Sequence, residues 1–179
     1  MRKKILINFF LILLILLILN SQASAGESDQ LYSKATKAAK SGQLDFAFMH
    51  YRSLFQKDPQ GKYKEQALFA LGEYFFLNAH YQEASKYFTT YLGNDFPKGR
   101  KLFALLYLFK IAQIKNNPPL IDELKKKIIT FERQSFIFRE AKEYQYLSPL
   151  NRSHKVIFTI DYIEFYIGGD WVEKISYKN

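Results

Sequence analysis

Apolar residues recur at helical intervals along most of this chain. Leu31, Ala35 and Ala38 are followed by Leu44, Ala47, Tyr51 and Leu54, and Leu68, Leu71, Gly72 and Phe75 are followed by Tyr81, Ala84, Phe88 and Tyr91. Steps of three, four and seven put such residues on one face of an α-helix. Polar breaks at Ser41-Gly42-Gln43 and Asn78-Ala79-His80 split each set into two helices. Ala35 and Ala47 are twelve apart, as are Gly72 and Ala84, the offset at which two antiparallel helices approach closely across a short turn. A degenerate third unit runs through Leu108, Ile111 and Ala112, breaks at Asn116-Asn117-Pro118-Pro119, and resumes with Ile121, Leu124, Ile128 and Phe131. Proline suits the first turn of a helix, where a missing N–H costs nothing. The units are spaced by 37 residues from Ala47 to Ala84 and by 40 from Ala84 to Leu124. One more helix is expected over Ser135 to Leu147, with Phe138, Ala141, Tyr144 and Leu147 as its stripe, capping the last core face before Ser148-Pro149-Leu150 breaks it.

From Val156 the period changes. Val156 to Ile167 is β-branched and aromatic, Gly168-Gly169-Asp170 is a turn, and Trp171 to Tyr177 alternates again, which predicts a β-hairpin. A three-residue loop pairs Ile167 with Trp171, Phe165 with Glu173, Glu164 with Lys174 and Ile163 with Ile175. A two-residue loop would oppose Glu164 and Glu173, so the first register is expected. It gathers Ile163, Phe165, Ile167, Trp171 and Ile175 on one face, to pack on the last helices, because a lone hairpin is marginal in water. Residues Val156 to Ile160 either supply a third strand or continue the first. The pattern divides the chain into residues 26–150, helical, and 151–179, a hairpin packed on them.

The N-terminus is of another kind. Met1-Arg2-Lys3-Lys4 precedes an apolar run from Ile5 to Leu19 broken only by Asn8, and Ala23-Ser24-Ala25 follows. A cationic start, a short apolar core and small residues at a processing site are the parts of a secretory signal peptide. Cleavage is expected between Ala25 and Gly26. The alternative is an uncleaved helix anchoring the chain in the inner membrane, for which the run is short. Loss of residues 1–25 leaves 154 residues with 23 Lys and Arg against 17 Asp and Glu, a charge of +6. Export removes the usual reason to read a basic chain as nucleic-acid binding, and points such charge toward an anionic membrane face, an acidic partner or simple solvation. There is no Cys, which excludes lipidation and disulfides and fits an exported chain that relies on its core.

Leu68, Gly72 and Phe75 followed by Ala84, Phe88 and Tyr91, with Ala47, Tyr51, Leu54 and Pro59 in register in the first unit, resemble the tetratricopeptide repeat, a helix pair of about 34 residues. Lys34 and Ala38 depart from its pattern. The match covers roughly residues 28–132, and Tyr63 to Ala112 looks like the envelope branch: outer-membrane barrel-assembly lipoproteins and periplasmic division-coordinating proteins. The resemblance implies a mainly α fold, an antiparallel helix-pair solenoid of about three units with a capping helix and a C-terminal β-hairpin. It also implies a concave groove lined by the first helix of each unit. Carried over position by position, the groove residues are Tyr32, Thr36 and Ala39, then Phe69, Glu73 and Phe76, then Phe109, Gln113 and Asn116. Tyr32, Phe69, Phe76 and Phe109 would either offer aromatic surface to an apolar peptide or be covered by a neighbouring helix or the hairpin. The family's carboxylate clamp of Lys and Asn is not evident.

Chemistry is scarce. His50, His80 and His154 are scattered, no metal, phosphate-loop or nucleophile motif occurs, and no enzyme activity or cofactor is expected. Asp122 and Glu123 suit a helix start. The expected function is that of an exported scaffold binding another envelope protein, in outer-membrane or cell-envelope assembly, with its oligomeric state open. Two alternatives stand beside it: a membrane-anchored structural protein, and a peptidoglycan or glycan-associated module, which would draw Asp161, Glu164 and Trp171 around one cleft.

Overall fold

The computed structural model describes residues 26–131 and 141–177; the expected signal segment and the expected helical residues 135–140 lie outside them. Six helices precede a four-stranded antiparallel sheet. Helix α1 spans residues 26–40, followed by α2 Leu44–Lys57, α3 Lys64–Leu77, α4 Tyr81–Leu92, α5 Lys98–Ile114 and α6 Pro118–Thr130. The strands are β1 Lys142–Leu147, β2 Ser153–Phe158, β3 Tyr162–Ile167 and β4 Asp170–Ser176, in the order β1-β2-β3-β4. Helices from α2 to α6 pack each on the next, and Ala35 and Ala47 join α1 to α2 in a shared core. Among the described residues no helix is long and apolar enough to cross a membrane.

The helix pairs repeat one turn. Gly42, Ala79 and Asn116 are left-handed, with φ of 72°, 59° and 49°, each 37 residues after the last. In every turn the following N–H reaches back to the carbonyl five residues earlier: Gln43 to Ala38 at 2.9 Å, His80 to Phe75 at 2.9 Å and Asn117 to Ala112 at 3.0 Å. This is the Schellman ending of a helix, which satisfies carbonyls the helix leaves open. The side chain of Asn117 then caps α6 by accepting from Leu120 N–H at 3.3 Å, with Pro118 and Pro119 in the first turn.

That turn fixes the register of the third pair. Counted from it, Ile121 corresponds to Ala47 and Ala84, not Leu124, and the spacing of 40 becomes 37. Leu106, not Phe109, corresponds to Tyr32 and Phe69. Phe109 takes the place of Ala35 and Gly72 and faces the core with 4% exposure. Where the position is Gly72, a Cβ would stand 3.0 Å from the ring of Phe88 on α4, so that pair closes tightly.

The expected helix over Ser135–Leu147 is overturned for its last six residues, which form β1. Tyr144 and Tyr146 point toward the helices while Glu143, Gln145 and Leu147 are exposed. This alternation of two competes with the i, i+3 spacing of Tyr144 and Leu147, and pairing with β2 decides it: Tyr144 opposes Val156 and Tyr146 opposes His154. The C-terminal segment is therefore four strands, not a hairpin, and the helical part ends before Lys142. Val156 does supply a third strand, within β2.

The β3–β4 connection mixes the two registers considered from sequence. Gly168 and Gly169, at φ of 64° and 93°, make a two-residue turn, the geometry that suits a twisted hairpin. Ile167 opposes Asp170 and Tyr166 opposes Trp171; a bulge then restores Phe165 to Glu173, Glu164 to Lys174 and Ile163 to Ile175. Val172 is the extra residue. Trp171 was expected on the buried face with Ile175 and is instead 57% exposed, because the bulge breaks the parity between positions 171 and 175.

Candidate functional site

The first helices of the second and third pairs, α3 and α5, are buried on nearly every side. Ala67 to Glu73 is continuously buried, as is Leu102 to Phe109. A helix apolar all round must be covered all round, and the cover on the second side is the sheet. Phe69 on α3 meets Tyr146 and His154 edge-on at 4.9 Å and 5.9 Å between ring centres, and Tyr107 on α5 meets Phe165 at 6.0 Å. Val156, Phe158, Ile163, Phe165, Ile167 and Ile175 complete the same core.

Of three equivalent positions counted from the turns, Thr36, Glu73 and Lys110, the last two carry this packing. In the second pair, Glu73 is fully buried and holds β2. Its Oε1 accepts from the Tyr107 hydroxyl at 3.2 Å and lies 3.3 Å from Nε2 of the equally buried His154. The Tyr107 hydroxyl also lies 2.8 Å from that Nε2. Nδ1 of His154 donates to the carbonyl of Arg152 at 3.0 Å, and the Arg152 guanidinium approaches Glu73 at 3.7 Å. Burial pushes the Tyr107 phenol well above its ordinary pKa, with the Glu73 carboxylate adding to the shift. In the third pair, Lys110 donates to Glu173 of β4 at 2.9 Å. The first pair has no such partner: Thr36 turns its hydroxyl back to the carbonyl of Tyr32 at 2.9 Å.

There the β1–β2 turn covers part of the face, with Leu150 buried against Ala35 and Ala39, and a cleft stays open beside it. A cleft of about 230 Å³ lies between α1 and the β1–β2 turn, lined on one wall by Tyr32, Thr36, Ala39 and Lys40 and on the other by Tyr146, Leu147, Ser148 and Asn151, with Gln66 and Arg100 also reaching it. Tyr32 is held rigid by stacking on Tyr63 at 3.9 Å. Tyr51, at the cleft base, donates to the carbonyl of Pro149 at 3.2 Å, and burial raises its pKa to about 12. Arg100 is tied to Glu65 at 2.9 Å. Lys40 is exposed, and Oε1 of Gln66 is buried without a hydrogen-bond partner.

Of the groove residues expected from sequence, the structure brings only Tyr32 and Thr36, with Ala39, to an open cleft. Phe69 and Glu73 lie beneath the sheet, Phe109 faces the core between helices, and Phe76 and Gln113 are half-buried. Asp161, Glu164 and Trp171 do not surround one cleft: Asp161 lies in the β2–β3 turn, whereas Trp171 pairs near the other end of β3. Sequence reasoning missed His154, Tyr107 and Lys110. His154 alternates with Val156 and Phe158, which was the available signal for an inward side chain. No family model matches the chain, and no curated protein matches it.

Proposed function

We propose that this chain is an exported scaffold, a short solenoid of three tetratricopeptide-like helix pairs, that binds an extended segment of another envelope protein in the cleft between α1 and the sheet. The signal-like N-terminus supports export, and the turn repeated at 37 residues supports the helix-pair array. The observation that carries the reading is the inequality of the three pairs: the chain's own sheet lies over the inner face of two, whereas at the first only the β1–β2 turn packs, through Leu150 and Pro149, and a cleft remains beside it with a stacked aromatic and a cation on its wall. Such a cleft suits a peptide that lays an apolar side chain against Tyr32 and a carboxylate near Lys40. It binds and does no chemistry.

The test is site-specific photocrosslinking in intact cells from position 36, with position 126 on the exposed side of α6 as control. A discrete protein adduct from position 36 and none from position 126 is the expected result. Identical adducts from both positions, or none from position 36, overturn it.

A further inference from the structure

The outer face of the sheet, turned away from the helices, has a chemistry of its own. One row crosses all four strands through paired residues: Gln145 to Lys155, Lys155 to Tyr166, and Tyr166 to Trp171. Three strand spacings make it about 14 Å long. The next row brings Glu164 opposite Lys174. Cations already cover two of the face's rings: the Lys155 ammonium is 4.6 Å from the centre of the Tyr166 ring and the Lys174 ammonium 3.6 Å from that of Tyr162. The indole of Trp171 is 57% exposed and meets no ring or cation among the described residues. Beside the row is a hollow of about 500 Å³ reached by Gln145, Leu147, Lys155 and Tyr166, within the size range of small-ligand sites.

A large apolar ring is held in water by a specific device, the Val172 bulge, which lets Trp171 face outward while Ile175 faces the core. Bulges are common at sheet edges such as β4 and beside binding sites, where they re-aim a side chain. The ligand must suit an indole beside the Tyr166 phenol, with the Lys155 ammonium and the Gln145 amide further along the row and ammonium and carboxylate groups in balance. An anionic membrane would need a surplus of cations, and a protein partner would need a contiguous apolar centre. A neutral, polyhydroxylated ring needs what is present: an aromatic face for its C–H groups, with donors and acceptors together for its hydroxyls.

We propose that this face binds a neutral oligosaccharide of acetamido sugars laid along the row, with one ring stacked on Trp171 and the acetamido group of a sugar further along served by Gln145 and Lys155 in the hollow lined by Leu147. The platform lies across the sheet from the helices; its hollow meets the cleft at Leu147, while Trp171 stands outside the cleft.

Trp171 is the chain's one tryptophan, so its fluorescence reports on this site alone. Titration with chitotetraose is expected to shift and saturate the emission, with maltotetraose leaving it unchanged. Affinity electrophoresis through glycol chitin is expected to retard the chain, and Trp171→Ala to weaken that retardation about tenfold or more. The exposed Phe46→Ala on α2 leaves it unaltered. Circular dichroism melting of Trp171→Ala, a surface change, establishes that the variant is folded. No response to millimolar chitotetraose, equal responses to both sugars, retardation unaffected by Trp171→Ala, or a response only to phosphatidylglycerol vesicles would each overturn the proposal.

Discussion

Exchanging Glu73 and His154 separately for leucine should give very unequal losses of stability, although the two side chains touch. His154→Leu preserves the ring-lined space beside Phe69 and Phe103 but leaves a fully buried carboxylate. Glu73 then retains one hydrogen bond, from Tyr107 at 3.2 Å, and an imperfect contact with Arg152 at 3.7 Å, while its Oε2 already lacks a partner. Leaving a buried carboxylate without one of its neighbours costs about 3–5 kcal/mol. Glu73→Leu removes the charge itself. The Tyr107 hydroxyl is placed to donate to Nε2 of His154 at 2.8 Å, and Nδ1 keeps the Arg152 carbonyl at 3.0 Å. Both ring nitrogens are satisfied, and Arg152, whose side chain is 33% exposed, turns to water. That substitution should cost no more than about 1 kcal/mol. Equilibrium urea unfolding followed by far-ultraviolet circular dichroism separates the two. With an m-value near 2 kcal/mol/M, their midpoints should differ by about 1 M or more at equal slope. A loss for Glu73→Leu as large as that for His154→Leu would refute the assignment of the cost to a stranded charge.

Two further expectations concern the turns and the phenols. Ala79 sits at the left-handed turn position held by Gly42 and Asn116 in the other pairs, a conformation that disfavours a side chain at Cβ; Ala79→Gly should therefore stabilise the chain by about 1 kcal/mol, read as a raised melting temperature, and a loss would count against the turn. Tyr51 holds its proton up to about pH 12 in the folded chain through burial, against the ordinary value of 10.0. Burial likewise raises Tyr91, Tyr107 and Tyr146. Because the folded state binds these protons more tightly than the unfolded state, their stability is intact below pH 10 and is lost as pH rises toward 12 and beyond. Urea midpoints measured from pH 8 to 11 should be flat and then fall; a rise above pH 10 would contradict the burial of these phenols.

Much of the helical part is legible in the sequence because its rules are local. Twelve-residue offsets, Gly42, and Pro118-Pro119 all mark turns that the structure contains. The third pair was set three residues out of register because its turn residue is Asn116, a weaker mark than Gly42, and because Leu124 was matched to a position that Ile121 holds. Strand β1 was hidden for a different reason. Tyr144, Tyr146 and Leu147 satisfy periods of both two and three, and only the partner strand β2, distant from the helical pattern, selects between them. The covering of the groove was written in plain view: α3 and α5 lack a polar face, whereas α2, α4 and α6 have one. A helix in an open array would keep such a face for water or for a ligand, so the unbroken apolar run from Leu102 to Phe109 calls for a second layer, which the structure supplies. Trp171 could not be placed from alternation alone, since the Val172 bulge reverses its side.

The sheet covers the inner face of the second and third helix pairs, and the β1–β2 turn leaves a cleft at the first. The chain contains no Cys, so a single introduced thiol reports on one position. Glu73→Cys and Thr36→Cys occupy equivalent positions, and Glu73→Cys, like Glu73→Leu, removes the buried charge. Labelling of the folded chain with a maleimide of moderate size should proceed readily at position 36 and be blocked at position 73 until denaturant is added. Equal, rapid labelling at both positions would contradict the account, because the face beneath His154 would then be open to solvent.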